Sequence, residues 1–216
     1  KAEGDVREKE LCFAINSEAP QKIAEVAKQL DAVFVNYSSD YVFKGDKPAG
    51  YTEDEQPNPI SVYGESKYLG EKNVQAVDGK FYIIRPSRIF GLPGVSKRSK
   101  KSFLDTMIEK KDETEIKVVN EEKGSPTYAP DLANLTRKII EEQRPYGIYH
   151  GTNSGSCTWY EWAQEIFKIL GHGPKMVAVS GSEFSRPAKR PMFSELLNTK
   201  LPQQRSWQEA LREYLS

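Results

Sequence analysis

Charge of one sign is the first thing this sequence lacks. Across 216 residues, 31 lysines and arginines balance 31 aspartates and glutamates, for a formal net charge of zero. No long-range field is left to gather nucleic acid or an anionic membrane. Cysteine is scarce as well: Cys12 and Cys157 do not make a disulfide framework and suit a reducing, cytoplasmic setting. No apolar run approaches the ~20 residues that span a bilayer, and no secretory leader is visible. Histidine occurs twice, and no His, Cys and carboxylate grouping has metal-site spacing. What is present is an ordinary globular composition, 38% hydrophobic and 29% charged. The length suits one domain, or one with a small lobe, around a real core.

The stretch 35–67, VNYSSDYVFKGDKPAGYTEDEQPNPISVYGESK, concentrates the chemistry. A short apolar run ends in Ser38-Ser39-Asp40, a polar loop follows, and a helix opens near Ser61 carrying Tyr63 and Lys67. Residues four apart lie on one helix face, so the phenol and the ammonium can converge. A free phenol titrates at ~10. A neighbouring ammonium, aided by the helix N-terminus, is expected to lower that value and make Tyr63 a general acid–base. Ser39, delivered by the strand end, would add a second hydrogen bond to a substrate oxygen. Such a trio suits carbonyl reduction or alcohol oxidation with a nicotinamide hydride. The spacing alone is weak, because Tyr68 and Lys72 repeat it in a chain of 11 tyrosines. Tyr63 stands apart through its position at a helix start, downstream of a strand ending in hydroxyls.

The motifs SSDYVFKG, PNPISVYGESKYLGE and IIRPSRIFG, followed by EEKGSPTYAPDLANL, SRPAKRPMFSELLNTKL and SWQEALREYL, resemble the dTDP-4-dehydrorhamnose reductases of the extended short-chain dehydrogenase/reductase group. The likeness runs through the whole chain in order. It implies an α/β, Rossmann-like parallel sheet with a small C-terminal substrate-binding lobe, and NADPH or NADH as cofactor. Carried over residue by residue, it makes Ser39, Tyr63 and Lys67 catalytic, with Tyr63, Lys67 and Pro86 also on the cofactor. Asp40, Tyr41, Ser87, Arg88, Arg186 and Arg190 fall on the side of a nucleotide-sugar substrate. Related dehydratases carry Asp-Glu after the hydroxyl residue, so Asp40-Tyr41 favours plain reduction. Many of the reductases have an aromatic where Arg88 stands, a departure that suits an anionic group and leaves the sugar open.

A dinucleotide fold needs a glycine-rich turn between its first strand and first helix. In the resembled family that turn lies before the point at which KAEGDVREKELCFAIN aligns. Neither 91–94 nor 151–155 replaces it; the latter reads as a turn and helix cap. The expectation is a sheet without its N-terminal strands, a central strand left as an open edge, and doubtful activity for this stretch alone. A homodimer or another partner would then cover the edge. Residues 1–90 and 116–150 are assigned to the cofactor-side domain, and 91–115 and 151–216 to the substrate side.

In chain order, helices are expected over 8–30, 61–77, 102–111, 130–143, 158–170 and 207–215, with strands over 31–39, 80–85, 116–119, 146–150 and 175–179. Leu11, Ile15, Ile23, Val26, Ala27 and Leu30 form the apolar stripe of the first helix, which Pro20 kinks or restarts. The basic run 96–101 reads as a solvated loop. Asn16 and His150 read as structural, and Trp159, Trp162, Ile166 and Phe167 as core. Arg186 and Arg190, four apart in a proline-framed loop, suit bidentate phosphate pairing. The leading reading is reduction of the C4 ketone of dTDP-4-dehydro-L-rhamnose. The alternatives are a non-catalytic regulatory subunit on the same scaffold, and an epimerase or dehydratase of another sugar nucleotide.

Overall fold

The computed structural model describes residues 3, 5–92, 94, 101–184 and 186–216. Apart from Lys101, the basic run 96–101 lies outside the described residues. Asp5 caps α1 (Val6–Phe13), its carboxylate accepting from the Arg7 N–H at 2.8 Å. A single π-helical turn, Ala14–Glu18, joins α1 to α2 (Ala19–Gln29). Pro20 sits in the first turn of α2, directly after the π turn. The expected 8–30 helix is thus interrupted just ahead of Pro20, where a kink or restart was expected. The chain continues through β1 (Phe34–Tyr37), α3 (Val62–Ala76), β2 (Phe81–Arg85), β3 (Ile89–Phe90), α4 (Phe103–Glu109), β4 (Glu115–Val119), β5 (Lys123–Gly124) and β6 (Thr127–Tyr128). It closes with α5 (Ala129–Glu141), β7 (Gly147–His150), β8 (Cys157–Thr158), α6 (Trp159–Leu170), β9 (Lys175–Val179) and α7 (Trp207–Leu215).

The helices begin where side chains accept from orphan backbone donors. Ser102, Thr158 and Ser206 each form a capping box with an acid three residues on, at α4, α6 and α7. Gly171 ends α6 in the left-handed region, φ 77°. The central sheet is parallel in the order β1-β2-β7, with Phe34 opposite Phe81 and Ile83 opposite Ile148. Its hydrophobic centre is Tyr82, Ile83 and Ile84, covered on one side by Ala24 and Val74 and on the other by Leu132, Leu135 and Ile139. A second core gathers Leu104, Met107, Ile116, Val118, Trp162, Ile166, Phe167, Trp207 and Leu211. β4, assigned from sequence to the cofactor side, pairs in parallel with β9 and packs against α6 in this second core.

The α1–α2 stripe is not core among the described residues. Leu11, Ile15, Ile23, Val26 and Leu30 are exposed, and among the described residues β1 has a strand neighbour on one side only. Instead, the π turn directs polar groups at α3: Asn16 Nδ2 donates to Ser66 Oγ at 3.1 Å, and Asn73 Nδ2 to Ser17 Oγ at 3.0 Å. The helices touch so closely that a β-carbon on Gly70 would lie 2.0 Å from the Asn16 carbonyl oxygen. Alanine is the better helix former by about 1 kcal/mol, but overpacking against backbone costs about 1–3 kcal/mol or more. Gly70→Ala therefore loses stability, and its urea midpoint falls below that of the wild type.

The C-terminal segment is tied to the sheet by buried polar groups. Glu53 accepts from the Thr199 amide at 3.1 Å and hydroxyl at 2.7 Å, and from the His150 amide at 3.3 Å. The His150 ring is fully buried with Nδ1 2.9 Å from the Leu197 carbonyl. Burial, with the Arg85 charge acting the same way, depresses its pKa to about 4 against the pull of Glu53. The unfolded chain takes up this proton at about 6.5, so stability is full above that pH and declines as the pH falls towards 4. In His150→Leu, the slope of unfolding free energy between about pH 6 and 4.5 becomes shallower by about 1.4 kcal/mol per pH unit, the value of one proton. Denaturant titrations at both pH values measure it.

Candidate active site

β1 delivers Ser38-Ser39-Asp40 at its carboxyl end, where parallel α/β sheets place ligands. There Ser39 caps a short 3-10 turn, Asp40–Val42, accepting from the Tyr41 N–H at 3.2 Å. Ser61 caps α3 by accepting from the Gly64 N–H at 3.1 Å. The two starts are pressed together. A β-carbon on Gly64 would stand 2.1 Å from the Tyr41 carbonyl oxygen, so only glycine lets α3 approach that turn. This approach brings Tyr63 beside Ser39, with the Tyr41 ring edge-on to the Tyr63 ring at a centroid distance of 5.7 Å.

Tyr63 is 39% exposed, yet the protein packed around its phenol desolvates it in part and pushes it up to about 12, with the Ser39 hydroxyl pulling the other way and the Asp40 charge adding to the rise. This reverses the lowering expected from the Tyr63–Lys67 spacing. The Lys67 ammonium donates to the Tyr37 carbonyl oxygen at 3.0 Å, at the end of β1. Burial in turn holds Lys67 below its ordinary value. A phenol that remains protonated through the neutral range is ready to give a proton to a developing alkoxide. Below Tyr63, Ser66 donates to the Tyr63 carbonyl at 2.8 Å and stands 3.2 Å from Cys12 Sγ.

Three residues expected on the substrate, Asp40, Ser87 and Arg88, have their side chains engaged by protein partners. Asp40 is 4% exposed and accepts from three serine hydroxyls, Ser39 at 3.1 Å, Ser87 at 2.8 Å and Ser194 at 2.7 Å. Arg88 adopts a left-handed backbone, φ 44°, and its guanidinium is occupied. It stacks over Trp159 at 4.0 Å and donates to the carbonyls of Cys157 at 2.7 Å and Glu122 at 2.8 Å. Those three contacts explain how a non-glycine residue is held in that region. The Pro86 carbonyl accepts the Asp40 N–H at 3.1 Å.

Across from these groups, Arg186 pairs with Glu122 at 2.5 Å, while Arg190 stands 4.0 Å from the same carboxylate and its charge reaches Tyr41. The two arginines line a cavity of about 530 Å³ walled by Phe103, Trp159, Phe184 and Val119. A larger hollow of about 780 Å³, beside Tyr160, Lys168 and Trp207, shares none of these residues. Sequence reasoning missed Glu122 and Ser194, whose contacts to Arg186 and Asp40 span 64 and 154 positions; no local pattern marks either. Among the described residues no group of three or more His, Cys, Asp or Glu side chains could hold a metal ion, and no helix is long and apolar enough to cross a membrane.

One protein family, described as the RmlD substrate binding domain, matches residues 1–216. The chain belongs to the RmlD family. It is 36% identical over 218 residues to the spore coat polysaccharide biosynthesis protein SpsK of Bacillus subtilis (strain 168), covering 98% of this chain and 74% of that protein. To a dTDP-4-dehydrorhamnose reductase of Streptomyces griseus it is 35% identical over 214 residues, covering 94% of this chain and 69% of the relative. The crystal structure of the dTDP-4-dehydrorhamnose reductase of Bacillus anthracis str. Ames in complex with NADP superposes with a TM-score of 0.90 at 37% identity, over 97% of this chain and 74% of that one. The fold of this RmlD-family chain is accordingly the α/β, Rossmann-like one with a parallel sheet.

Proposed function

We propose that this chain carries the reductase site for the 4-keto group of dTDP-4-dehydro-L-rhamnose, giving dTDP-L-rhamnose. The observation that carries this reading is the close approach of α3 to the Asp40–Val42 turn, which sets a protonated phenol beside a hydroxyl at the carboxyl end of a parallel sheet. The names of the reductase relatives support it. NADPH or NADH, when bound, supplies the hydride that goes to C4. Tyr63 gives its proton to the ketone oxygen as that oxygen gains charge, and Ser39 steadies the same oxygen with a second hydrogen bond. The phenolate then recovers a proton from solvent. Lys67, at the end of β1 with two further N–H donors beyond its bond to Tyr37, fits a role on the cofactor's ribose hydroxyls, with Tyr63 and Pro86 on the same side. In this reading the cavity between Phe103, Trp159 and Phe184 takes the nucleotide, and its arginines face the diphosphate. The open edge of β1 and the exposed α1–α2 stripe make that face the place where a second copy or another segment would pack. The setting is that of a charged nucleotide sugar, the cytoplasm.

The test is cofactor consumption, followed by nicotinamide absorbance, when the purified protein meets the ketosugar nucleotide. Formation of the two-hydrogen-heavier alcohol is read by mass spectrometry. Absence of both would sink the reading. Arg190 is the less tightly paired of the two guanidiniums, so Arg190→Ala is expected to raise KM for the ketosugar about tenfold while kcat changes little, the effect of one lost charged hydrogen bond. An unchanged KM would remove Arg190 from the substrate.

A further inference from the structure

Asp40 was expected to touch substrate, and its surroundings suggest another task. Its carboxylate is the meeting point of three chain segments: Ser39 follows β1, Ser87 follows β2, and Ser194 belongs to the segment that carries Arg186 and Arg190. All four side chains are buried. The contacts are unequal in a way that matters. Ser87 and Ser194 both donate to Oδ2, whereas Ser39 alone donates to Oδ1. The Ser39 bond is the longest of the three, at 3.1 Å against 2.8 and 2.7 Å.

A serine hydroxyl has one proton and two lone pairs. While Ser39 gives its proton to Asp40 and accepts the Tyr41 N–H, it has none to offer a substrate oxygen. Its usefulness in the reduction proposed above, on which this inference rests, depends on how firmly Asp40 holds that proton. Two strong donors on Oδ2 draw charge away from Oδ1, and so leave the Ser39 bond weak enough to turn towards a developing alkoxide. The geometry points to Asp40 as the positioning residue that aims the Ser39 hydroxyl, and to Ser194 as the residue through which the substrate-side segment sets the strength of that hold. Burial raises the Asp40 carboxyl above its ordinary range, and the donors pull it back, Ser194 first and Ser87 next. The charged group facing it is Arg88, and the Tyr41 and Tyr63 phenols lie beside it.

Two measurements test this in the purified protein. Carbon-detected NMR titration of the Asp40 carboxyl needs no turnover. Removing a donor to the charged form raises its pKa, so Ser194→Ala should titrate about one pH unit higher than wild type, and Ser194→Thr, which keeps the hydroxyl, should return to the wild-type value. An Asp40 titration identical in wild type and Ser194→Ala would overturn the coupling. The second measurement is steady-state kinetics of Ser39→Ala, Asp40→Asn and the double variant. If Asp40 acts through Ser39, Asp40→Asn lowers kcat about tenfold or more with KM within about twofold. Combined with Ser39→Ala, it then costs nothing further, since coupled residues are not additive. Additive losses, or a loss confined to KM, would return Asp40 to the substrate and overturn the proposal. Wild-type protein that fails to consume cofactor would instead count against the reduction itself, leaving the titration to decide whether the serine hub exists.

Discussion

Tyr63→Phe reduces the ketosugar about 10³-fold more slowly than the wild type, within the range attributed to a positioned general acid, and binds the substrate about equally well. The reason lies in how little else at the site can give up a proton. Ser39 shares its proton with Asp40, Lys67 is turned to the Tyr37 carbonyl, and the Tyr41 phenol, itself raised by burial, is stacked edge-on behind Tyr63. Phenylalanine preserves the ring and its contact with Tyr41, so the fold is not disturbed. The loss falls on kcat because the phenol's bond strengthens only as charge grows on the substrate oxygen. Rapid-mixing measurement of a single turnover separates this step from product release. A variant that turned over at the wild-type rate would end the assignment of Tyr63 as the acid.

Glu71→Ala unfolds at a much lower denaturant concentration than the wild type, with a loss of about 3–5 kcal/mol. Glu71 on α3 and Arg85 at the end of β2 form a bidentate pair, Nε to Oε1 at 2.8 Å and Nη2 to Oε2 at 2.6 Å, with side chains 0% and 1% exposed. The Arg85 guanidinium also lies over the Phe43 ring at 5.0 Å. Removing the carboxylate leaves a buried cation with no counter-charge, which costs far more than the pair itself contributes. Set against a total stability of about 5–15 kcal/mol for a domain, such a loss leaves little reserve. Replacing both partners with apolar residues of similar volume, Glu71→Leu with Arg85→Met, should recover most of it, because the penalty belongs to the unpaired charge. A double variant as unstable as Glu71→Ala would mean that the pair stabilises through its geometry. The consequence reaches the site, since α3 carries Tyr63 and Lys67 from the same helix that Glu71 anchors to the sheet.

The segments readable from sequence were those whose causes are local. Ser61, Ser102, Thr158 and Ser206 each stand directly before a helix and accept from an amide three residues on, and the apolar run ending at Arg85 announces β2. The π turn between α1 and α2 was not readable, because the polar groups it presents find partners on α3 some fifty positions later, at |i−j| of 50 and 56. The apolar stripe of α1–α2 was readable as a stripe, but its burial was not, since periodicity says which residues share a face and not whether anything covers it. Arg88 was legible only as a departure from a pattern. Its stacking on Trp159 joins residues 88 and 159, and no composition rule brings those together.

The sequence by itself carried the helix and strand starts, which are set by neighbours a few positions apart, and through its resemblance to the reductases the expectation of an α/β fold with Ser39, Tyr63 and Lys67 at one strand end. Tertiary structure alone decided the upward direction of the Tyr63 shift and the three serine partners of Asp40. Both depend on groups that the fold gathers from distant segments: they close Asp40 off from water, whereas Tyr63 is covered only in part and stays 39% exposed.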